Sequence, residues 1–208
     1  ELPQQFMSAG ISEQHAINFA AGLASQGKKV YVYFMAAWAA RCFEQIRYSC
    51  ALPGNPITVL GNGVGLGYAP AGPAHETNED ISYMRSLHGM HIHCPINTNV
   101  VRELVRLSYE DQQLRWVRLE RKHAKELDNL YSDLQSGNTL NSYKKILENH
   151  DSNVALVSFG YMQGRVHEAS SLLSSQGIPV DIFDITSPKP LDRSGLASDL
   201  SKYEHVVV

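Results

Sequence analysis

The stretch EQHAINFAAGLASQGKKVYVYF, Glu13 to Phe34, decides the fold class of this chain. Ser12 stands at an N-cap position, and the apolar residues behind it repeat at helical spacing up to Gly27, which predicts a helix from about 12 to 26. The run that follows, Val30 to Phe34, consists of β-branched and aromatic residues. Such a run predicts a strand buried on both faces of a parallel sheet, so the pair indicates an α/β domain.

Helices and strands continue to alternate over the first 124 residues. We expect further helices at about 37–51, 79–87 and 97–109, and further strands at about 56–60, 91–94 and 114–119. This alternation is typical of a doubly wound parallel sheet. Because such sheets bind ligands at the carboxyl ends of their strands, we expect a site among the loops around Met35, Gly61 and Arg121.

A change of composition divides the chain. Residues 125–150 are mainly polar and charged, which predicts a linker. After it, two apolar runs at 154–159 and 180–185 flank a helical pattern at about 163–175, and a third apolar run lies at 206–208. We therefore expect residues 151–208 to form a second, smaller α/β domain, and the pattern suggests an incomplete one.

The overall composition excludes several classes of partner. A net charge of −3 leaves no basic surface for nucleic acid or an anionic membrane. No run approaches the roughly 18 apolar residues of a membrane span, and the first residues lack the pattern of a signal peptide. The three cysteines are odd in number and form no Cys-x-x-Cys pair, which favours a reducing compartment, so we expect the cytoplasm.

Two short motifs resemble binding sites but do not fit them well. Residues 61–67 carry a glycine at every second position, which is not the Gly-x-Gly-x-x-Gly of a dinucleotide site. We expect a loop there that lets the backbone approach a ligand or another protein chain. His91 and His93 share one face of a strand, a spacing that can bind a metal, but no third ligand lies nearby in sequence. We therefore predict no metal site in this chain.

Glu13 allows two interpretations. As an acidic residue in the first turn it would interact with the helix dipole, which is worth a few tenths of a kcal/mol up to about 1 kcal/mol. Its neighbours suggest more. The segment GISEQHA, residues 10–16, followed by AAGLA, resembles the part of transketolases and 1-deoxy-D-xylulose 5-phosphate synthases that carries the cofactor-activating glutamate. These are thiamine diphosphate enzymes, and the resemblance implies that Glu13 is catalytic, binds the cofactor's pyrimidine ring and is largely buried.

The segment after the first strand carries a second resemblance. MAAWAARCFEQI, residues 35–46, is similar to the family segment in which spaced aromatic residues form the pyrimidine pocket, followed by Arg-x-Phe/Tyr-Asp-Gln-Ile. The resemblance implies that Met35, Trp38 and Arg41 bind the cofactor. The alternative is that Met35 and Trp38 are ordinary core residues on one face of a helix, although a flat ring and a thioether both suit a heteroaromatic ring.

Two further residues resemble the family's substrate-binding groups. GPAH, ending at His75 and followed by Glu79 and Asp80, is similar to the family's Asp-Gly-Pro-Thr-His segment, which implies a catalytic, sugar-binding role for His75. Ala71 and Ala74 stand where the family usually has Asp and Thr, which bears on substrate specificity. Arg121 resembles the family's arginine for substrate phosphate, in keeping with the way guanidinium binds phosphate bidentately.

The resemblance covers nearly the whole chain, including ITSPKPLD, residues 185–192, which is similar to an Ile-Lys-Pro-Leu-Asp element of the family's C-terminal domain. It implies a pyrimidine-binding domain at 1–124, a linker at 125–150 and a C-terminal-like domain at 151–208. The implied activity is transfer of a two-carbon ketol unit from a ketose or ketose phosphate to an aldose. The alternatives are a 1-deoxy-D-xylulose 5-phosphate synthase activity and a non-catalytic subunit.

One family motif is absent. The family's other domain holds diphosphate and Mg²⁺ through a Gly-Asp-Gly motif, and this sequence contains no Gly-Asp-Gly. The resemblance therefore implies that thiamine diphosphate is shared with a diphosphate-binding partner subunit, which would hold the Mg²⁺, in a dimer or heterotetramer.

Overall fold

The structure, a computed structural model, describes residues 3–121, 125–136 and 139–208. The α-helices are α1 (Glu13–Ser25), α2 (Phe43–Gln45), α3 (Asp80–Met84), α4 (Thr98–Glu110), α5 (Met162–Ser175) and α6 (Arg193–Leu200). The strands are β1 (Tyr31–Met35), β2 (Thr58–Asn62), β3 (Met90–His93), β4 (Leu114–Leu119), β5 (Lys144–Leu147), β6 (Val154–Ser158), β7 (Val180–Asp184) and β8 (His205–Val207). Short 3₁₀-helices include Ala36–Cys42, Ala69–Ala71, Pro73–His75, Lys125–Leu127 and Ser132–Ser136, and Ile46–Ala51 forms a π-helix.

The first sheet is parallel throughout and confirms the predicted doubly wound architecture. Its strand order is β1-β2-β4-β3. Side chains alternate across β4, so that Trp116 packs with α1 and the 36–51 segment on one face while Val117 packs with α4 on the other. Both faces of the sheet therefore carry an apolar core.

Strand β1 departs from the prediction of burial on both faces. Val32 and Phe34 are buried in the core, but Tyr31 and Tyr33 on the other face are 39% and 64% exposed. Tyr31 and Tyr33 are exposed because β1 lies at the edge of the sheet. Helix α4 contacts this strand through a 2.7 Å hydrogen bond between the hydroxyls of Tyr31 and Ser108. A run of apolar residues does not show which strand will be at an edge.

Helix α1 forms where the apolar repeat predicts it. Ile17, Ala20, Ala21 and Ala24 are buried against the sheet, and Gly27 follows the helix with a φ of +78° that glycine adopts without strain. Ser12 occupies the N-cap position, but its side chain makes no capping hydrogen bond. The start of the helix is therefore fixed by packing rather than by the cap.

The segment predicted as a linker, 125–150, contains ordered structure that packs against both sheets. Leu127, Tyr131 and Leu134 are buried with α4 on the first sheet. Strand β5 then pairs antiparallel with β7 in a second sheet, whose order is β5-β7-β6-β8 and whose other pairs are parallel. The polar composition of the 125–150 segment hid these buried apolar residues from the sequence analysis. The three domain boundaries remain a prediction.

The ITSPKPLD segment covers the open edge of the first sheet. The backbone N–H of Ile92 donates to the carbonyl of Lys189 at 2.7 Å, and that of Cys94 donates to Thr186 at 2.8 Å. Both donors lie on or beside β3, the strand at that edge. The segment therefore satisfies backbone groups that an edge strand leaves unpaired.

His93 is a structural histidine. Its Nδ1 lies 2.8 Å from the Ser187 hydroxyl, and burial lowers the pKa of its ring to about 3, so the ring is neutral. In the part of the chain that the structure describes, no group of three His, Cys, Asp or Glu side chains could hold a metal ion. The same part contains no helix long and apolar enough to cross a membrane.

Asp184 gives the fold a predicted pH dependence. Its carboxyl is fully buried, accepts from the Tyr131 hydroxyl at 2.8 Å and from Gln163 Nε2 at 3.2 Å, and burial raises its pKa from 3.8 to about 7. Between these pH values the folded state holds more protons than the unfolded state, so we expect the free energy of unfolding to fall as pH rises, by on the order of a few kcal/mol. Urea denaturation from pH 4 to 8 measures this.

The variant Asp184→Asn tests the cause. An amide keeps the size of the acid and an oxygen that accepts a hydrogen bond, but it does not ionise. We expect it to flatten the pH dependence, whereas the exposed Asp151→Asn should keep the wild-type profile. An unchanged slope in Asp184→Asn would assign the pH dependence to other groups.

Candidate active site

The candidate site lies at the carboxyl ends of the parallel strands. Met35, Asn62 and Leu119, which end β1, β2 and β4, are register partners across the sheet. The next N–H, that of Gly63, donates to the Leu119 carbonyl at 2.7 Å. The loops that follow these three strands therefore all leave the sheet at its carboxyl end, as expected for a ligand site in this architecture.

Glu13 lies at the start of α1 beside the 3₁₀-helix Ala36–Cys42. Its side chain is buried, with 10% exposed, and its Oε2 lies 3.7 Å from Nη1 of Arg41, a residue whose own side chain is 59% exposed. Gln14 Nε2 also donates to the Arg41 carbonyl at 3.1 Å. These contacts fix a nearly dry carboxylate against the helical segment that carries Trp38.

Cys42 shows how close Glu13 is to this segment. Burial, and after it the negative charge of Glu13, raise the pKa of the Cys42 thiol to about 11, which keeps it neutral. The thiol points back along its own helix, with Sγ 3.6 Å from the Trp38 carbonyl oxygen. Cys42 thus fills space behind the carboxylate and is not an activated nucleophile.

His75 and Trp38 meet across two loops. Their ring centroids are 6.3 Å apart at an interplanar angle of 61°, an edge-to-face arrangement, and both residues are half-buried, as is Met35. The buried Nδ1 of His75 has no hydrogen-bond partner among the described residues. A buried ring nitrogen without a partner is uncommon in folded proteins, so the surroundings of His75 are not fully satisfied within the described residues.

The glycine-rich loop is closed rather than loose. Gly61 and Asn62 belong to β2, and the loop then returns on itself, because Gly65 and Thr77 exchange backbone hydrogen bonds of 2.8 and 3.0 Å. His75 lies just inside this closure. The loop therefore holds the histidine in place.

Arg121 lies over the ring of Tyr68. Its Cζ is 4.6 Å from the ring centroid, and the Tyr68 hydroxyl accepts from Asn62 Nδ2 at 3.0 Å. The sequence interpretation missed Tyr68 and Asn62. An aromatic residue within a glycine-rich loop at a strand end was the signal that could have identified Tyr68.

A buried ion pair was also missed. Asp80, fully buried at the start of α3, accepts from Arg118 Nε at 2.7 Å and from Trp116 Nε1 at 2.8 Å. The indole lies where a side chain on Gly61 would be, since an added Cβ would come within 2.2 Å of it. The pair holds the helix after the His75 loop against β4.

The end of β4 also contacts the second domain. Arg118 Cζ lies 5.6 Å from the Phe159 ring centroid, and the Tyr161 N–H donates to Glu120 Oε1 at 3.5 Å. Burial raises the pKa of the Glu120 carboxyl. Strand β4, which leads to Arg121, therefore contacts both Asp80 and the second domain.

Family models match most of this chain. Residues 1–125 match the transketolase pyrimidine binding domain, and residues 143–208 match the transketolase C-terminal domain. The chain belongs to the transketolase family.

Relatives within the transketolase family are longer than this chain. An apulose-4-phosphate transketolase subunit from Phocaeicola vulgatus is 31% identical over 193 residues, which cover 92% of this chain and 60% of that protein. A 1-deoxy-D-xylulose-5-phosphate synthase from Natranaerobius thermophilus is 27% identical over 206 residues, covering 99% of this chain and 32% of the synthase. The chain therefore spans less than two thirds of the length of these curated relatives.

Solved transketolase structures share the fold. A split-gene transketolase, described as an inactive β4 tetramer, superposes with a TM-score of 0.84 at 27% identity, covering 99% of this chain and 65% of that one. A transketolase mutant from Pichia stipitis superposes with a TM-score of 0.79 at 17% identity, covering 94% of this chain and 29% of that one, and this likeness concerns the fold alone.

Thiamine diphosphate is the cofactor of the transketolase family, and the described residues fit its pyrimidine half. The buried carboxylate of Glu13 can accept a hydrogen bond from a ring nitrogen. Trp38 and Met35 offer an aromatic face and a thioether that suit a flat heteroaromatic ring. The ring of His75 lies edge-to-face with that of Trp38 at the same end of the sheet.

Removing the Asp80 carboxylate should destabilise the transketolase fold strongly. In Asp80→Ala the buried Arg118 loses its counter-ion, so we expect a loss of about 3–5 kcal/mol in the free energy of unfolding. Asp133→Ala is the control, because the half-exposed pair of Asp133 with Lys144 is worth about 1 kcal/mol or less. Urea denaturation of both variants measures the difference, and equal losses would contradict the assigned role of Asp80.

Proposed function

We propose that this chain is the pyrimidine-binding subunit or half of a thiamine diphosphate-dependent transketolase. The reaction is transfer of a two-carbon ketol unit from a ketose, or a ketose phosphate, to an aldose. The observation that carries the proposal is the buried carboxylate of Glu13 at the start of α1, next to the segment that bears Trp38.

Each proposed site residue has a role that its surroundings support. Glu13 accepts a hydrogen bond from the pyrimidine, while Trp38, Met35 and Arg41 hold the ring against it. When bound, thiamine diphosphate would supply a nucleophilic carbon that adds to C2 of the ketose and so permits cleavage of its C2–C3 bond. His75 faces the sugar, and its half-buried imidazole can hold or pass a proton at a sugar hydroxyl. Arg121 binds a substrate phosphate.

The partner is proposed from what the chain lacks. It contains no Gly-Asp-Gly motif, and it spans 60% of a relative that is itself named as one subunit of a transketolase. A β4 tetramer of a similar split-gene transketolase is described as inactive. We propose that a separate diphosphate-binding subunit or domain holds the diphosphate and Mg²⁺, and that the assembly is a dimer or heterotetramer. All three cysteines are buried free thiols, which favours a reducing compartment, so we propose that the assembly works in the cytoplasm.

A synthase activity is the second candidate. The similarity to 1-deoxy-D-xylulose-5-phosphate synthases extends over 99% of this chain. Consumption of pyruvate without cleavage of a ketose would favour that activity. A non-catalytic subunit is a third candidate, favoured by Ala71 and Ala74 but opposed by the presence together of Glu13, Trp38 and His75.

Calorimetric titration of thiamine diphosphate with Mg²⁺ tests the composite site. We expect no binding to this chain alone and saturable binding once the product of an adjacent reading frame that carries Gly-Asp-Gly is added. Tight binding to this chain alone would overturn the need for a partner. Absence of binding in a mixture whose two chains are shown to associate would overturn the catalytic proposal.

Glu13→Gln tests the catalytic role within that assembly. The amide keeps the shape of the side chain but loses the charge, and we expect ketol transfer to fall about 100-fold or more, as for loss of a catalytic acid or base. Glu110→Gln removes an exposed, ion-paired carboxylate on α4 and should leave the rate unchanged. Wild-type activity in Glu13→Gln would favour the non-catalytic role.

A further inference from the structure

We infer that Tyr68 is a positioning residue that holds the guanidinium of Arg121, and that this pair gives the site its preference for phosphorylated over unphosphorylated sugars. The inference rests on the proposed function, in which Arg121 binds the substrate phosphate. It deepens that proposal by naming the residue on which Arg121 depends.

The ring of Tyr68 is held on two sides. It lies against the backbone of Gly63, where an added Cβ would come within 2.0 Å of Cε2, and Gly63 has a φ of +71°. Its hydroxyl accepts a hydrogen bond from Asn62 Nδ2 at 3.0 Å. Because Asn62 is the last residue of β2, this hydrogen bond fixes the ring relative to the sheet as well as to the loop.

Arg121 is held by this ring and by no acid. Its Cζ lies 4.6 Å from the centroid of Tyr68, within the range of a cation–π contact. Among the side chains that the structure describes, no carboxylate pairs with Arg121, and none of them accepts a hydrogen bond from it. The aromatic face therefore fixes the cation while its N–H donors stay available to an anion.

The position of Arg121 matches the needs of phosphate binding. An exposed arginine is normally spread over many rotamers, and a ligand must order it before two N–H groups can bind bidentately. Contact with a fixed ring does part of that ordering before the ligand arrives. The benefit is specific to an anionic group, because an uncharged sugar hydroxyl does not need the fork of donors.

The loop also sets a spacing along the substrate. Tyr68 and His75 belong to one closed loop, held together by the hydrogen bonds between Gly65 and Thr77. Arg121 contacts Tyr68, and His75 lies in the same closed loop, so this loop contacts or carries both proposed substrate-binding residues. A phosphorylated sugar would place its phosphate at Arg121 while its hydroxyls face His75.

Nuclear magnetic resonance of the full chain tests the pair without a partner subunit. The Nε–Hε signal of Arg121, assigned by its loss in Arg121→Gln, reports the ring current of Tyr68. We expect Tyr68→Leu to move this signal toward the value of a free arginine and Tyr68→Phe to retain the shift. A signal that stays in place in Tyr68→Leu would show that the ring does not hold the guanidinium and would overturn the inference.

Titration of the assembly of this chain and its diphosphate-binding partner with ribose 5-phosphate, with ribose and inorganic phosphate as comparisons, tests the consequence. We expect the dissociation constant for ribose 5-phosphate to rise about two- to five-fold in Tyr68→Leu, the worth of an exposed cation–π contact, and to change little in Tyr68→Phe. The response to ribose should not change in either variant. A purely structural defect would instead lower the melting temperature and weaken both sugars.

Arg121→Gln separates the two levels of the proposal. If it binds ribose 5-phosphate as the wild type does, or if the wild type shows no saturable response, the phosphate role of Arg121 fails and the inference fails with it. If Arg121→Gln loses binding while Tyr68→Leu binds like the wild type, the proposed function stands and only the role of Tyr68 is overturned. In the assembled enzyme, Tyr68→Leu should raise KM for a ketose phosphate and leave kcat unchanged.

Discussion

The parallel register of β1, β2 and β4 is the constraint on which the rest of the site depends. Backbone hydrogen bonds align Met35, Asn62 and Leu119 across the sheet. Residues far apart in sequence then leave the sheet at one edge, and the right-handed connections of such a sheet place helices on both faces below it. A slip of one residue in β4 would turn Trp116 and Arg118 to the opposite face, and the contacts with Asp80 would be lost.

Asp80 fixes the loop that bears His75 to strand β4. Burying a charge is costly, and the cost is offset here by Arg118 and by the indole N–H of Trp116. Since both donors belong to β4, the start of α3 must stay over that strand. The loop that bears His75 is therefore held at its far end by Asp80 and across its neck by the Gly65 and Thr77 hydrogen bonds. The ion pair between Asp80 and Arg118 thus helps to fix the position of the candidate residue His75.

The sequence predicts what depends on local pattern and misses what depends on neighbours in space. Helix α1 and strand β4 follow from apolar periodicity, and β4 has the predicted bounds of Leu114–Leu119. Strand β5 carries two lysines in four residues and was hidden in a polar segment, because its stability comes from pairing with β7. The same distinction applies to the candidate site. Similarity to transketolases located the candidate residues, but it could not show that Tyr68 lies under Arg121, a contact that exists because Gly63 leaves room for the ring in the folded loop.

Exposed apolar residues beside Glu13 bear on how the site is completed. Phe6, Met7 and Ile11, in the segment just before α1, are 77%, 58% and 96% exposed. Three large apolar side chains this exposed within six residues are candidates for contact with another protein chain. Shielding from solvent would strengthen the interaction of Glu13 with a bound ring, because electrostatic interactions grow as the local dielectric falls. If the proposed partner chain packs on this segment, it buries these apolar residues and shields Glu13, so that assembly and cofactor binding would be coupled.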